Sequence, residues 1–157
     1  MVDQHRRLLL KVCWMYAGTQ HDRDDLLQEI VAQLWASFGR YDRQRKFSTW
    51  MYRVALNVAI DFQRRQRRYG NRRTELSEQD GCLPGDVIAR HEETEQLIVL
   101  RRTLATQNDA DRALLLLHLE GNSYREIGEI LGISESNVGT RLSRIKDGLR
   151  KSLRQDA

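Results

Sequence analysis

The sequence predicts an all-α protein made of two small helical domains joined by a flexible linker, with a helix-turn-helix in the second domain. Three observations lead to this prediction. Apolar residues recur at the three- and four-residue spacing of amphipathic helices through most of the chain. This spacing fails around the only proline, Pro84, which lies between Gly81 and Gly85. Two helical patterns separated by a glycine then follow at Ser123–Leu149.

Charge divides the 157-residue chain in a similar way. Residues 1–74 carry 15 basic and 7 acidic side chains, residues 75–110 carry 3 and 8, and residues 111–157 carry 8 and 7. The net charges are therefore +8, −5 and +1, so the basic charge is concentrated before the linker. We place a first domain at residues 1–74, an acidic linker at 75–92 and the helix-turn-helix domain at 93–157.

Composition excludes several kinds of protein. No apolar run approaches the ~20 residues of a membrane-spanning helix, and the N-terminus has too short an apolar core and no clear cleavage site for a signal peptide. The protein is therefore expected in the cytoplasm, without membrane insertion. The two cysteines, Cys13 and Cys82, form no CxxC pair. We expect no disulfide, no metal site and no cofactor, with Cys13 in the core and Cys82 in the linker.

Two helices are predicted before residue 39. The first spans His5–Ala17 and stops at Gly18, and the second begins at an N-cap formed by Asp22. The second helix carries an apolar stripe that we expect to face the core: Leu27, Ile30, Val31, Leu34 and Phe38. Its opposite face carries Asp25, Gln28, Glu29 and Gln33. Such a face is usually only solvated, but its acidity beside a basic domain favours a basic protein partner.

A long third helix is predicted after a polar loop at residues 39–45, with Ser48 or Thr49 as its cap. Its apolar positions include four that we assign to the core: Met51, Val54, Ala55 and Val58. The residues Phe47, Ser48, Thr49 and Trp50 lie where the loop enters the helix, so some of them can face solvent and an unstacked base. Arg53 and Asn57 lie four residues apart and add hydrogen-bonding groups on one helix face.

The end of this helix is strongly basic. Six arginines and no acid occur between Phe62 and Arg73. Arginine neutralises phosphate and aromatic rings stack on exposed bases, so the whole stretch Lys46–Arg73, which joins these arginines to Phe47, Trp50 and Tyr52, predicts a surface for one strand of opened DNA. Solvated surface charge is the alternative for the chain as a whole, but an acid-free run of this length disfavours that interpretation here.

The second domain is predicted to contain four helices. A helix with Leu97, Leu100 and Leu104 spans Glu93–Thr106, and an apolar helix at Ala113–Leu119 follows a cap at Asn108 or Asp109 and ends at Gly121. Ser123 and Glu126 then form a capping box for the helix Tyr124–Leu131. Gly132 supplies a left-handed turn, and Ser134 caps a last helix that runs to about Leu153.

This last helix has two different faces. Its inward positions are Val138, Leu142, Ile145 and Leu149, and its outward positions are Ser136, Asn137, Thr140, Arg141 and Arg144. The outward side chains suit base edges and phosphates in a DNA major groove. A helical hairpin with no DNA role is the structural alternative.

The chain resembles the bacterial extracytoplasmic-function (ECF) sigma factors in the order and spacing of three stretches: DRDDLLQEIVAQLW, FSTWMYRVALNVAIDFQRRQRR and YREIGEILGISESNVGTRLSRIKDGLR. The resemblance implies two partners, core RNA polymerase and promoter DNA. It implies that the first domain docks on the polymerase and reads the minus-ten element, and that the second reads the minus-thirty-five element. Sigma factors of this kind often have an anti-sigma factor, which is a further expected partner.

The resemblance also implies roles for the site residues. Polymerase docking is assigned to Asp25, Gln28 and Glu29. Minus-ten DNA binding is assigned to Phe47, Ser48, Thr49 and Trp50 around a flipped base, to Arg53 and Asn57 beside them, and to Arg64, Arg65, Arg67 and Arg68 on phosphates. Minus-thirty-five binding is assigned to Ser136, Asn137, Thr140, Arg141 and Arg144. Gly128 and Gly139 depart from the family pattern, and each is expected to cost roughly 1 kcal/mol of helix stability relative to alanine.

Two other functions explain part of the sequence. A stand-alone helix-turn-helix regulator uses Ser123–Leu149 but leaves the aromatic and arginine-rich stretch without a role. A DNA strand-transfer enzyme would use Tyr69 or a serine, but no catalytic constellation accompanies either. We therefore favour a promoter-specificity subunit that is not an enzyme.

Overall fold

The computed structural model describes residues 5–70, 103–104 and 106–155. All regular elements within these residues are helices, which confirms the all-α prediction. The chain divides into two compact units, Met1–Ala89 and Arg90–Ala157. The predicted linker at 75–92, Cys82 and most of the predicted helix at Glu93–Thr106 lie outside the described residues.

The first unit packs three helices against one another: α1 at Arg6–Tyr16, α2 at Gln20–Ser37 and α3 at Phe47–Gly70. A short 3₁₀ helix at Phe38–Arg40 follows α2. The fully buried side chains of its core come from all three helices: Leu9, Val12, Leu26, Ile30, Met51 and Leu56. Cys13 also lies in this core, as predicted, and burial raises the pKa of its thiol to about 12. The thiol is therefore protonated and unreactive at neutral pH.

The start and register of α2 differ from the prediction. The N-cap is Thr19, whose Oγ1 accepts the backbone N–H of Asp22 at 3.1 Å, so Asp22 lies inside the first turn. The buried stripe is Leu26, Ile30 and Leu34, while Val31 is 44% exposed and Phe38 is 48% exposed. Assigning Val31 and Phe38 to the core was therefore wrong.

A buried arginine contributes to this register. Arg23 lies on the core side of α2, one turn before Leu26, and is only 7% exposed. Its guanidinium donates to the backbone oxygens of Ala17 at 3.3 Å and Gly18 at 3.4 Å, just beyond the end of α1. These hydrogen bonds offset the cost of burying the charge.

Helix α3 begins at Phe47, one residue before the earlier of the two predicted caps. Ser48 and Thr49 therefore lie inside its first turn, where the backbone N–H of Trp50 donates to the Lys46 oxygen at 3.3 Å. Burial along α3 also differs in part from the prediction. Met51 and Ala55 are buried as expected, but Val54 and Val58 are only half-buried, and Tyr52 and Leu56 are buried instead.

The second unit contains three described helices: α4 at Asp109–Leu119, α5 at Tyr124–Leu131 and α6 at Glu135–Gln155. Asn108 caps α4, as one of the two predicted alternatives, by accepting the Asp111 N–H at 2.8 Å. Helix α4 starts four residues earlier than predicted. Its first turn contains Asp109 and Asp111, and carboxylates are favourable at a helix N-terminus.

The turn between α5 and α6 has the predicted geometry. Both hydrogen bonds of the Ser123–Glu126 capping box are present, at 3.1 and 2.9 Å. Gly132 has a φ of 72°, and Ser134 Oγ accepts the Asn137 N–H at 3.1 Å at the start of α6. The predicted inward residues Val138, Leu142 and Ile145 are buried, whereas Leu149 is half-buried.

The prediction that Gly128 makes the helix less stable than alanine would is wrong. A Cβ added at Gly128 would lie 2.7 Å from the backbone oxygen of Ile133, closer than real Cβ contacts. The glycine therefore allows the backbone after Gly132 to pass against α5, and alanine would not fit without a shift.

Candidate nucleic-acid interface

Four aromatic rings form a cluster at the end of α2 and the start of α3. We define the aromatic cluster as Phe38, Tyr41, Phe47 and Trp50. The ring centroids of neighbouring members lie 5.1 to 6.2 Å apart, within the range of aromatic pairing. The predicted residues Phe47 and Trp50 are thus brought together, and the structure adds two rings that the sequence analysis assigned elsewhere.

The two additional rings have identifiable signals in the sequence. Phe38 was assigned to the core and Tyr41 was counted within a polar loop. Phe38 precedes that loop and Tyr41 lies within it, while Phe47 and Trp50 follow it, so a concentration of aromatic residues at positions 38–50 was the available signal.

The aromatic cluster is accessible and its loop is ordered by local hydrogen bonds. None of its four rings is fully buried, and Phe38 is 48% exposed. The Tyr41 hydroxyl donates to the Arg45 oxygen at 2.6 Å, and Asp42 Oδ1 accepts the Gln44 N–H at 2.9 Å. Ser48 and Thr49 are half-buried in the adjoining first turn of α3. Partly exposed rings on and beside this loop can stack with one unpaired base.

An open groove of about 920 Å³ runs between α2 and α3. Val54 and Val58 line it, which explains why they are not in the core. The groove brings several predicted site residues together: Glu29, Asn57, Arg64, Arg65 and Arg68. Arg53 and Arg67 are exposed but do not line the groove.

One arginine of this groove is held by a residue from the predicted docking face. Arg65 Nη2 lies 2.5 Å from Glu29 Oε2, and the Arg65 guanidinium carbon lies 5.7 Å from the centroid of the Phe62 ring. Both charged side chains are more than a third exposed, so the pair contributes at most about 1 kcal/mol. Because Glu29 offsets its charge, Arg65 attracts a DNA phosphate less strongly than a neighbouring arginine that has no acidic partner.

The exposed side of α2 combines polar and apolar residues. Gln28 is exposed, and Asp25 and Glu29 are half-buried. Trp35 is 86% exposed and Val31 is exposed one turn before it. Trp35 belongs neither to the predicted apolar stripe nor to the predicted docking face of α2, so it was not predicted as a site residue. The spacing of Gln28, Val31, Trp35 and Phe38 alternates between three and four residues, so they form one seam along α2 and the turn that follows.

The predicted reading face of α6 is largely exposed. Ser136, Asn137, Thr140 and Arg144 are accessible. Two hydroxyls bind locally, since Thr140 Oγ1 donates to the Ser136 oxygen at 3.0 Å and Ser136 Oγ lies 3.2 Å from Ser134 Oγ.

Arg141 differs from this group and does not point freely outward. Its Nη2 and Nε lie 2.7 and 2.9 Å from Asp111 Oδ1, and its side chain is 25% exposed. The expected outward orientation of Arg141 is therefore corrected to a half-buried ion pair with α4. The sequence carried no signal for this pair, because Asp111 is 30 residues away.

Within the part of the chain that the structure describes, neither a membrane-spanning helix nor a group of metal-binding side chains is found. None of its helices is both long enough and apolar enough to cross a membrane. None of its residues form a group of three or more His, Cys, Asp or Glu side chains that could hold a metal ion.

Comparisons with known proteins match both units. Residues 1–69 match the family model of Sigma-70 region 2, and residues 97–147 match that of Sigma-70, region 4. The chain is 30% identical over 165 residues to the ECF RNA polymerase sigma factor SigW of Bacillus subtilis (strain 168), covering 98% of this chain and 87% of SigW. It is also 30% identical over 164 residues to the ECF RNA polymerase sigma factor SigE of Mycolicibacterium smegmatis, covering 98% of this chain and 60% of SigE.

Two solved structures share the fold. The structure of CnrH in complex with the cytosolic domain of CnrY matches with a TM-score of 0.71 and 22% identity, covering 99% of this chain and 86% of that chain. The sigma factor RpoE from Bartonella quintana, in complex with the anti-sigma factor NepR, matches with a TM-score of 0.67 and 20% identity, covering 99% and 98%.

Proposed function

The chain belongs to the ECF sigma factors of the sigma-70 family, and we propose that different groups of its residues bind the polymerase, the minus-ten element and the minus-thirty-five element. As a sigma factor, the protein binds core RNA polymerase and directs promoter recognition, strand opening and transcription initiation. The observation that best supports a specific assignment is the aromatic cluster beside the arginine-lined groove. This arrangement offers stacking and phosphate binding on the surface formed by α2 and α3.

The first proposed role is docking on the polymerase through the exposed side of α2 that carries Gln28, Val31 and Trp35. Asp25, Gln28 and Glu29 supply polar contacts, and Trp35 with Val31 supplies apolar area. A large indole left in solvent suits the buried centre of a protein interface, where aromatic residues contribute most. Gln28 is exposed beside these residues and fits the rim of such an interface, whereas Glu29 also lines the groove, where it pairs with Arg65.

The second proposed role is capture of the opened minus-ten strand. Phe47 and Trp50, with Phe38 and Tyr41, stack on an unpaired base, while Ser48, Thr49, Arg53 and Asn57 supply nearby hydrogen-bonding groups. Stacking contributes ~1 to 3 kcal/mol per base, which is comparable to the few kcal/mol needed to unstack it. Base capture can therefore tip a nearly balanced opening step.

The arginines of α3 have a separate role in this proposal. Arg64, Arg65, Arg67 and Arg68 bind backbone phosphates, which positions the strand but does not distinguish its sequence. Phosphate contacts also act on duplex DNA, so they cannot favour opening by themselves.

The third proposed role is reading of the minus-thirty-five element by α6. Ser136, Asn137, Thr140, Arg141 and Arg144 contact base edges and phosphates in the major groove. A stand-alone helix-turn-helix regulator would use α6 in the same way. That alternative gives no role to residues 1–69, which match Sigma-70 region 2.

An anti-sigma factor is a further proposed partner, supported by the solved complex of RpoE with NepR. The protein is proposed to act in the cytoplasm, because bacterial promoter DNA and RNA polymerase are there. It is proposed to act as an initiation factor without catalysis of its own.

Replacing Phe47 by alanine tests base capture. Phe47→Ala is expected to slow open-complex formation, measured as permanganate reactivity of promoter thymines. A promoter that is already unpaired at the minus-ten element should largely restore the rate, because the variant then no longer has to stabilise opening.

A matched control removes an aromatic ring outside the aromatic cluster. Tyr69→Ala changes a residue that is 76% exposed near the end of α3, and it should melt promoters at the wild-type rate. If Phe47→Ala also melts promoters at that rate, the aromatic cluster is a packing feature and its assignment to the flipped base is wrong.

A further inference from the structure

Asp111 and Arg141 form a partly buried ion pair between α4 and α6. We propose that Asp111 positions Arg141 for a two-hydrogen-bond contact with a guanine of the minus-thirty-five element. Asp111 lies outside the predicted reading face, so it would be a positioning residue that acts through Arg141. This inference rests on the proposed role of α6 in reading DNA.

The carboxylate of Asp111 is itself fixed by a second residue. Its Oδ1 accepts from Arg141 Nε at 2.9 Å and lies 2.7 Å from Nη2, while its Oδ2 accepts from Asn108 Nδ2 at 2.9 Å. Asn108 is in turn the N-cap of α4 and accepts the Asp111 N–H at 2.8 Å. Both oxygens of the carboxylate therefore have set partners at a helix terminus, and the guanidinium is held against a fixed point.

The contact with Asp111 leaves a recognition edge of Arg141 available. A guanidinium has five N–H groups in a planar fork. Asp111 binds the edge formed by Nε and Nη2, so the edge formed by Nη1 and Nη2 still presents donors. This second edge matches the spacing of O6 and N7 of guanine, the commonest specific arginine contact in a major groove.

The position of Arg141 on α6 allows this contact. It lies one turn after Asn137 and one turn before Arg144, both of which are exposed. It also precedes the buried Leu142, so it sits at the border between the outward and inward faces. From this border the Nε and Nη2 edge of Arg141 can bind Asp111 of α4 while the rest of its guanidinium reaches the DNA major groove.

The ion pair also favours a base over a phosphate as the target. Asp111 neutralises much of the charge of Arg141 and would repel a phosphate nearby, whereas the acceptors of a guanine edge carry no full charge. Holding the side chain in the free protein also lowers the conformational entropy cost of binding. Arg144 is more exposed and lies one turn away, so it suits a phosphate contact better.

The proposal is tested with the full chain, purified core polymerase and promoters in which each upstream base pair is changed singly. Asp111→Ala should lower the preference for guanine at one base pair by about 5- to 10-fold, a part of what a bidentate contact contributes to discrimination. The same base pair should be the one affected by Arg141→Ala. The double variant should be no worse than Arg141→Ala alone, because the two residues act as one unit.

Two further variants separate positioning from folding. Asp111→Asn keeps an acceptor oxygen and should retain most of the guanine preference. Asp147→Ala removes the exposed carboxylate that pairs with Arg150 at 3.4 Å on the same helix, and should leave every preference unchanged.

Two results would overturn the positioning role. One is an unchanged preference at every base pair in both Asp111 variants. The other is an equal reduction at all base pairs together with a lower melting temperature, which would make the pair a packing contact only. Failure of the proposed function would look different, because the wild-type protein would then give no promoter-specific transcript at all.

Discussion

Two glycines in the helix-turn-helix, Gly128 and Gly139, differ in the space that surrounds them. The backbone oxygen of Gly128 accepts from the N–H groups of Gly132 at 2.8 Å and Ile133 at 3.1 Å, so the turn is folded tightly against α5. A Cβ at Gly128 would meet the Ile133 oxygen at 2.7 Å. At Gly139 an added Cβ would lie 3.5 Å from the Tyr124 ring, an ordinary van der Waals distance.

Alanine at these two positions should therefore shift stability in opposite directions. Gly128→Ala is expected to destabilise the second unit by ~1 to 3 kcal/mol, because the turn must move away from α5. Gly139→Ala should stabilise it by up to ~1 kcal/mol, because alanine has the higher helix propensity. Urea unfolding of the full chain would measure both effects. Gly148→Ala, with nothing within 4 Å of the added Cβ, is the control and should behave like Gly139→Ala. A Gly128→Ala protein as stable as this control would contradict the close approach.

Neighbouring arginines on α3 should contribute unequally to DNA binding. Arg64 is exposed, while Arg65 is bound to Glu29. Removing one arginine that binds a phosphate of a single strand should reduce the slope of log affinity against log salt by about 0.7. Arg64→Ala should show a reduction of this size in holoenzyme binding to a partly single-stranded promoter. Arg65→Ala should show a smaller one, since Glu29 already offsets its charge. Equal reductions would mean that the ion pair opens freely when DNA binds.

The exposed seam of α2 has consequences at the scale of a whole element. Because Trp35 is 86% exposed, removing its ring should change stability by no more than ~0.5 kcal/mol. If the seam docks on the polymerase, Trp35→Ala should weaken core binding by at least about tenfold, as expected for a central aromatic contact. A pull-down titration with core polymerase measures this directly. Tyr69→Ala, which removes another exposed aromatic side chain, should keep wild-type affinity, and the same affinity for Trp35→Ala would remove the seam from the docking surface.

Elements defined by local interactions could be predicted from the sequence. The capping box at Ser123, the left-handed Gly132 and the cap at Asn108 depend on residues within a few positions of each other. Their hydrogen bonds are therefore visible as sequence motifs. This is why the bounds of α5 were predicted correctly.

Features that depend on distant residues could not be predicted in the same way. The register of α2 is set partly by Arg23, whose partners are carbonyl oxygens beyond the end of α1. Periodicity describes which residues share a helix face, but it does not identify a partner on another helix. The Glu29–Arg65 and Asp111–Arg141 pairs, 36 and 30 residues apart in sequence, were missed for this reason. The roles of the individual site residues remain predictions.

At the scale of the whole molecule, charge and chemistry divide between the two units. The net charge of +8 on residues 1–74 accompanies the aromatic cluster and the arginines of α3, whereas residues 111–157 carry a net charge of only +1. The first unit is therefore suited to binding the phosphate backbone of an opened DNA strand. The second unit has less net positive charge to bind phosphates, so its contribution to DNA binding should depend more on base contacts made by α6.

Run-off transcription on a library of promoter fragments, with purified core polymerase and the full chain, measures directly whether the protein directs transcription from specific promoters. We expect transcripts that appear only when the protein is present, from templates that share two short sequence elements at a fixed separation. Two elements are expected because we propose that each of the two units of the chain reads one of them. Transcripts identical in position and yield to those of core polymerase alone would contradict the account.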